Sequence, residues 1–128
     1  MRVYVDADIV IWHLRRMSPA TELLRALEQT PDNELWMSAI QRSEVLFFMR
    51  AGEETTTMRV LRRFKTHPVT EEIIDLAATY FRRSNPSHGI DENDAILAAT
   101  VALTGGKVVT QNTRHFPMAD IVVERGWD

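Results

Sequence analysis

The 128-residue sequence has no cysteine, only two lysines (Lys65 and Lys107), and few glycines and prolines, five of each. Without cysteine there is no disulfide scaffold, no thiolate zinc site and no thiol nucleophile. No long apolar run opens the chain. Met1-Arg2-Val3-Tyr4-Val5 already meets an acid at Asp6, and the next apolar stretch stops at His13. That is too short and too charged for a signal peptide or a membrane span, so no membrane partner and a cytoplasmic protein are expected. Excess positive charge is also missing. Fifteen basic and eighteen acidic residues leave a net −3, which argues weakly against a nonspecific nucleic-acid coat protein and not against a nuclease. A nuclease can use acids to hold metal, and bound cations then reverse the local charge.

What is present fits one globular domain, residues 1–128, with 45% hydrophobic and 26% charged residues. Arg2 to Val5 reads as a buried strand, and Leu35-Trp36-Met37 as a second. Ser18 is expected to cap a helix with Pro19 at its first position and Leu23, Leu24 and Leu27 as its apolar stripe. Ser38 should cap a helix reaching about Ala51, with Gly52 as its stop. Further helices are expected over Glu54 to Lys65 and from Thr70 through Phe81. His67-Pro68-Val69 reads as an extended link or short strand, and Ser84 to Gly89 as a loop. Asp91 to Thr104 is nearly all apolar and should be a buried helix ending at Gly105-Gly106. Lys107 to Thr110 and Ile121 to Val123 read as strands, with a loop over Gln111 to Phe116. Strands alternating with helices predict an α/β fold with a mainly parallel sheet.

In such sheets, ligands bind beyond the carboxyl ends of the strands. Asp6 follows the first strand directly, and Asn112 follows the strand at Lys107. Glu44 is odd among Ile40, Val45, Leu46, Phe47 and Phe48. Asp94 opens the apolar helix, where an acid is favoured by free N–H groups, and Asp91 precedes it by one turn. Acids brought together raise one another's pKa, and a divalent cation removes that penalty. Oxygen ligands without cysteine suit Mg²⁺ or Mn²⁺, as one ion or two. Such an ion can activate water against a phosphodiester.

Four segments, in order, resemble the motifs of PIN-domain nucleases. They are Val3-Tyr4-Val5-Asp6-Ala7-Asp8, Ser38-Ala39-Ile40-Gln41-Arg42-Ser43-Glu44, Asp94-Ala95-Ile96-Leu97-Ala98-Ala99-Thr100, and Thr110-Gln111-Asn112-Thr113-Arg114-His115-Phe116. Size and sequence look most like the VapC-type toxins of prokaryotic toxin–antitoxin pairs. The resemblance implies a three-layer α/β/α fold around a mainly parallel sheet of about four or five strands. It also implies a Mg²⁺- or Mn²⁺-dependent endoribonuclease acting on structured RNA such as tRNA, a homodimer, and inhibition by a cognate antitoxin. Asp6, Glu44 and Asp94 would hold the metal, with Asn112 as the fourth catalytic position. Three departures stand out: Asn112 replaces a frequent Asp, Ala7 replaces a common Thr or Ser, and Asp8 stands where a small polar residue is usual.

Each feature also has a plain structural reading. Asp91 is first a helix cap, and Asp8 either a cap or, with Asp91 and Thr110, part of an outer shell. Arg114 and His115 are candidate RNA contacts. Arg59, Arg62, Arg63 and Lys65 form either a solvated helix face or a track for an RNA backbone. Trp12, Phe47, Phe48 and Met49 are core or dimer interface, or else a groove for an antitoxin. Two rival functions remain. One is a phosphohydrolase of the haloacid-dehalogenase type with Asp6 as nucleophile, for which Asp6-Ala7-Asp8 speaks and the placing of Lys107 does not. The other is a non-catalytic PIN-like RNA-binding module, which Asn112 allows.

Overall fold

In the computed structural model, which describes residues 1–128, five short strands form one sheet in the order β3-β2-β1-β4-β5. They are β1 (Arg2–Val5), β2 (Glu34–Ser38), β3 (Lys65–His67), β4 (Lys107–Thr110) and β5 (Val122–Arg125). Every neighbouring pair is parallel, and the central β1 sets Tyr4 beside Trp36 on one side and Val108 on the other. Six helices, α1 (Ala7–Leu14), α2 (Ser18–Gln29), α3 (Ala39–Phe47), α4 (Glu54–Leu61), α5 (Glu71–His88) and α6 (Glu92–Thr104), complete the fold.

Side chains alternate across a strand, so each strand feeds two cores. Val3, Val5, Leu35, Met37 and Val109 pack on one face with Ile9, Val10, Leu24, Val45 and Leu61. Tyr4 and Val108 pack on the other with Ile73, Tyr80, Leu97 and Val101. The layers are therefore α1–α4, sheet, and α5–α6. No helix is long and apolar enough to cross a membrane. Where α6 turns into β4, Gly106 has φ +91° and an added Cβ would collide with the Arg2 carbonyl oxygen, so no side chain fits there.

The structure corrects several expected boundaries. Ser18 is the first residue of α2 rather than its cap; Met17 takes the cap position without a side-chain bond. Proline lacks an N–H that the first turn would leave unbonded anyway, so Pro19 tolerates this one-residue shift. Ala7 to Leu14, for which the sequence suggested no helix, forms α1. The third helix stops at Phe47 instead of near Ala51, because Phe47 and Phe48 find no core and stand 80% and 73% exposed. The fourth stops at Leu61, and an i→i−3 turn (Phe64 N–H to Leu61 carbonyl, 3.0 Å) folds Phe64 into the core. Lys65 is thereby released to the edge strand β3. The segment Ser84 to Gly89 is not a loop: α5 continues through Pro86 to His88. Pro86 is exposed and removes one backbone bond, while buried Ser84 and Ile90 hold the extension in place. Asn85 donates to the Ile90 carbonyl (2.9 Å), and Gly89 closes the helix with φ +63°.

Candidate active site

Strand order reverses at β1, between β2 and β4, and a crevice beyond the carboxyl ends of the strands is expected at this point of a parallel sheet. Asp6 leaves the end of β1 there and is buried, the residue being 8% exposed. Its N–H donates to the Val109 carbonyl (3.0 Å), which fixes the residue to the end of β4. The fully buried Thr110 hydroxyl donates to Asp6 Oδ2 at 2.8 Å and accepts from the Asn112 N–H at 3.0 Å. Asn112 in turn donates through Nδ2 to Asp8 Oδ2 (3.3 Å). One hydroxyl thus couples the first and fourth motifs.

Asp94 is placed by a reciprocal cap at the start of α6. Its N–H donates to Asp91 Oδ1 (2.8 Å), and the Asp91 N–H donates to Asp94 Oδ2 (3.2 Å). His115, in the short 3-10 turn Thr113–His115, sets Nδ1 3.2 Å from the same Oδ2. Glu44 reaches the cluster from α3, whose start is capped by Ser38 Oγ accepting from the Ile40 N–H (3.2 Å), and the Asn93 side chain favours its ionised form.

Burial and neighbouring acids hold all three carboxyls above the ordinary carboxylate range. Burial first, then the charges of Asp8 and Asp91, push Asp6 up to about 6 against the Thr110 bond that opposes them. Burial, then Asp6, Asp91 and Asp8, push Glu44 up to about 7. Burial, then Asp91 and Asp6, push Asp94 up to about 8. The charge of Asp6, at the end of β1, therefore reaches Glu44 on α3 and Asp94 on α6, although they are distant in sequence. As they stand, no three His, Asp or Glu side chains converge on one point as a finished metal cage. Thr110 and the Asp91–His115 pair turn one oxygen each of Asp6 and Asp94 toward themselves. The donor set, all oxygen and overcharged, suits a hard divalent cation.

The other sequence candidates are distributed differently. Arg114 donates to the Ser87 carbonyl (3.3 Å). Arg63 pairs with Glu28 and lies against His13, so none of its contacts is a site carboxylate. Arg62 is exposed at the end of α4. Lys65 pairs with Glu34 where β2 and β3 begin. Sequence reasoning missed the influence of Asn93 on Glu44 and His115 as a partner of Asp94. Nothing in Asp91-Glu92-Asn93-Asp94 marks which side chain turns toward α3. The site loop is further held by Gln111, which accepts from the Trp127 N–H (2.9 Å) and donates to its carbonyl (3.0 Å); Trp127 stands edge-on to Trp12, with ring centroids 5.8 Å apart.

The family described as PIN domain matches residues 3–121, and the chain belongs to that family. Among individual relatives, it is 33% identical over 115 residues to ribonuclease VapC19 of Mycobacterium tuberculosis, covering 89% of this chain and 91% of that protein. Among solved structures, it resembles a toxin–antitoxin complex from Klebsiella pneumoniae (TM-score 0.79, 21% identity, 98% of each chain). It also resembles VapBC2 from Rickettsia felis bound to a promoter DNA fragment (TM-score 0.78, 17% identity, 100% of each chain). The haloacid-dehalogenase reading falls with this family membership. Its lysine is also absent from the cluster, since Lys107 Nζ is bound to Glu124 at 2.6 Å.

Proposed function

We propose that this protein is a metal-dependent endoribonuclease, the toxin of a type II toxin–antitoxin pair, that hydrolyses phosphodiesters of structured RNA such as tRNA. The observation that carries the reading is the gathering of Asp6, Glu44 and Asp94 from three elements, with burial and the charge of neighbouring acids raising all three and Asp6 acting on both others. The kinship with a named ribonuclease supplies the reaction class.

Asp6, Glu44 and Asp94 would hold Mg²⁺ or Mn²⁺. A bound ion supplies a water of lowered pKa and a countercharge for the phosphate oxygens. The protein's own part is positional. Thr110 keeps Asp6 from swinging away from the crevice. The Asp91 cap and His115 hold one oxygen of Asp94 and leave the other free. Asn112, neutral and tied to Asp8, presents an amide where a carboxylate would add further repulsion. Exposed Phe47 and Phe48, at the end of the helix that bears Glu44, offer an aromatic contact for a cognate antitoxin, in line with the toxin–antitoxin complexes that share the fold.

The test is incubation of purified protein with tRNA in Mn²⁺, Mg²⁺ or EDTA, followed by mapping of the new RNA ends. Cleavage with either metal, absent in EDTA and lost in Asp6→Asn or Asp94→Asn proteins that remain folded, is the expected result. RNA binding without cleavage under every metal condition would instead make the chain a non-catalytic binding module.

A further inference from the structure

Asp8 stands in the first turn of α1 and does not cap it; Asp6 holds the cap position, and no side-chain cap bond is made there. Asp8 is half-buried and enters no ion pair within the chain. Its carboxylate is nonetheless held in place. Asn112 Nδ2 donates to Oδ2 (3.3 Å), and Oδ1 is left without a partner in the chain. Asn112 is itself fixed, because its N–H donates to the Thr110 hydroxyl (3.0 Å) that donates to Asp6 Oδ2 (2.8 Å). Hydrogen bonds thus run from Asp6 through Thr110 and Asn112 to Asp8, and one relay positions both acids.

The partner's chemistry is informative. A neutral amide holds a carboxylate without cancelling its charge, whereas an arginine or lysine at that point would do both. The helix dipole favours an acid in a first turn, but it does not account for where this one acts. Burial is the main cause that raises Asp6 and Glu44, and the charge of Asp8 adds to it at both. Those two carboxyls belong to the end of β1 and to α3. An unpaired charge that burdens acids on two other elements is a cost to the metal-free fold, and it becomes an advantage when a cation enters. Mg²⁺ keeps several of its waters when bound, so an acid can serve it without touching it.

We propose that Asp8, held by Asn112, is a fourth acid of the divalent-cation site, a positioning residue that adds charge from the ion's outer shell and leaves direct coordination to Asp6, Glu44 and Asp94. The inference rests on the metal-binding part of the proposed function and not on RNA cleavage.

Asp8→Asn keeps the size of the side chain and its acceptor for Asn112, and removes only the charge. Titration calorimetry on the full chain should show Mn²⁺ binding weakened about tenfold. In EDTA at pH 8 the same variant should unfold about 3 °C above wild type, because repulsion falls. An acid serving only the start of α1 would give the opposite sign, since its loss removes a favourable dipole contact. Asp8→Asn combined with Asn112→Asp moves the carboxylate across the same hydrogen bond, and Mn²⁺ affinity should return to within about threefold of wild type. Unchanged Mn²⁺ affinity in Asp8→Asn, a lower Tm in EDTA, or a double variant as weak as the single one would overturn the proposal. Cleavage is read in none of these arms. A protein that binds Mn²⁺ in this pattern yet cuts no RNA would remove the nuclease reading alone.

Discussion

Replacing Asp94 with asparagine should stabilise the metal-free protein, by an amount that grows as pH rises above about 4. Asp94 is raised from an ordinary 3.8 to about 8, so the folded state holds its proton more tightly than the unfolded chain does. The folded protein then binds more protons between these limits, and stability falls as pH rises through the window from about 4 to about 8. Each pKa unit corresponds to about 1.4 kcal/mol, which caps the penalty near ~6 kcal/mol at full ionisation. Asp6 and Asp91 share this repulsion, and removing one charge relieves only part of it, so a gain of about 2 kcal/mol is expected at pH 8.5. For a chain of this size that is a rise in Tm of roughly 5–10 °C. Asparagine keeps an oxygen for the Asp91 N–H, so the cap survives. The assay is thermal unfolding by circular dichroism in EDTA from pH 5 to 8.5, repeated with Mn²⁺. The gain should shrink toward pH 5, and the ion should stabilise wild type more than the variant. An equal Tm for both proteins at pH 8.5 in EDTA would refute the claim that these carboxyls repel.

Other substitutions probe the same network. Thr110→Val removes the hydroxyl from Asp6 and should push that carboxyl still higher. Hydrogen bonds to charged groups are worth about 1.5–3 kcal/mol, so Mn²⁺ affinity by calorimetry should fall at least about tenfold. Unchanged affinity would remove Thr110 from the site. Asn112→Asp exchanges a donor to Asp8 for a like charge. Metal-free stability at pH 8 should drop by about 1 kcal/mol in urea titration while Mn²⁺ binds more tightly; a variant more stable than wild type without metal would contradict this. Gly106→Ala forces a methyl group onto the Arg2 carbonyl at a positive φ, so a loss of at least about 2 kcal/mol is expected in the same assay.

Much of this arrangement could be read from residue order. The strand at Lys107 to Thr110 and the helix ending at Gly105 have unambiguous periods and breakers, and the structure keeps both. Asp6 at a strand end and Asp94 at a helix start are positions that backbone geometry dictates. Local composition failed where tertiary burial competed with it. Ser84 to Gly89 has loop residues throughout, yet Ser84 and Ile90 are buried and the helix persists. Phe47 and Phe48 look like core residues by type and stand in solvent. Which neighbour each carboxylate touches depends on how α3 and α6 pack, and that reaches over fifty residues from Glu44 to Asp94. No window of sequence contains it.

The Gln111–Trp127 clasp gives the protein a built-in optical probe. Three indoles are present, and Trp36 sits apart from the other two, stacked against Arg2 at 4.0 Å. Trp12 and Trp127 form their own pair beside the loop that bears Asn112. Any occupant that draws this loop inward must shift one indole against the other, so a change in emission colour would follow loading of the crevice in real time without an attached dye.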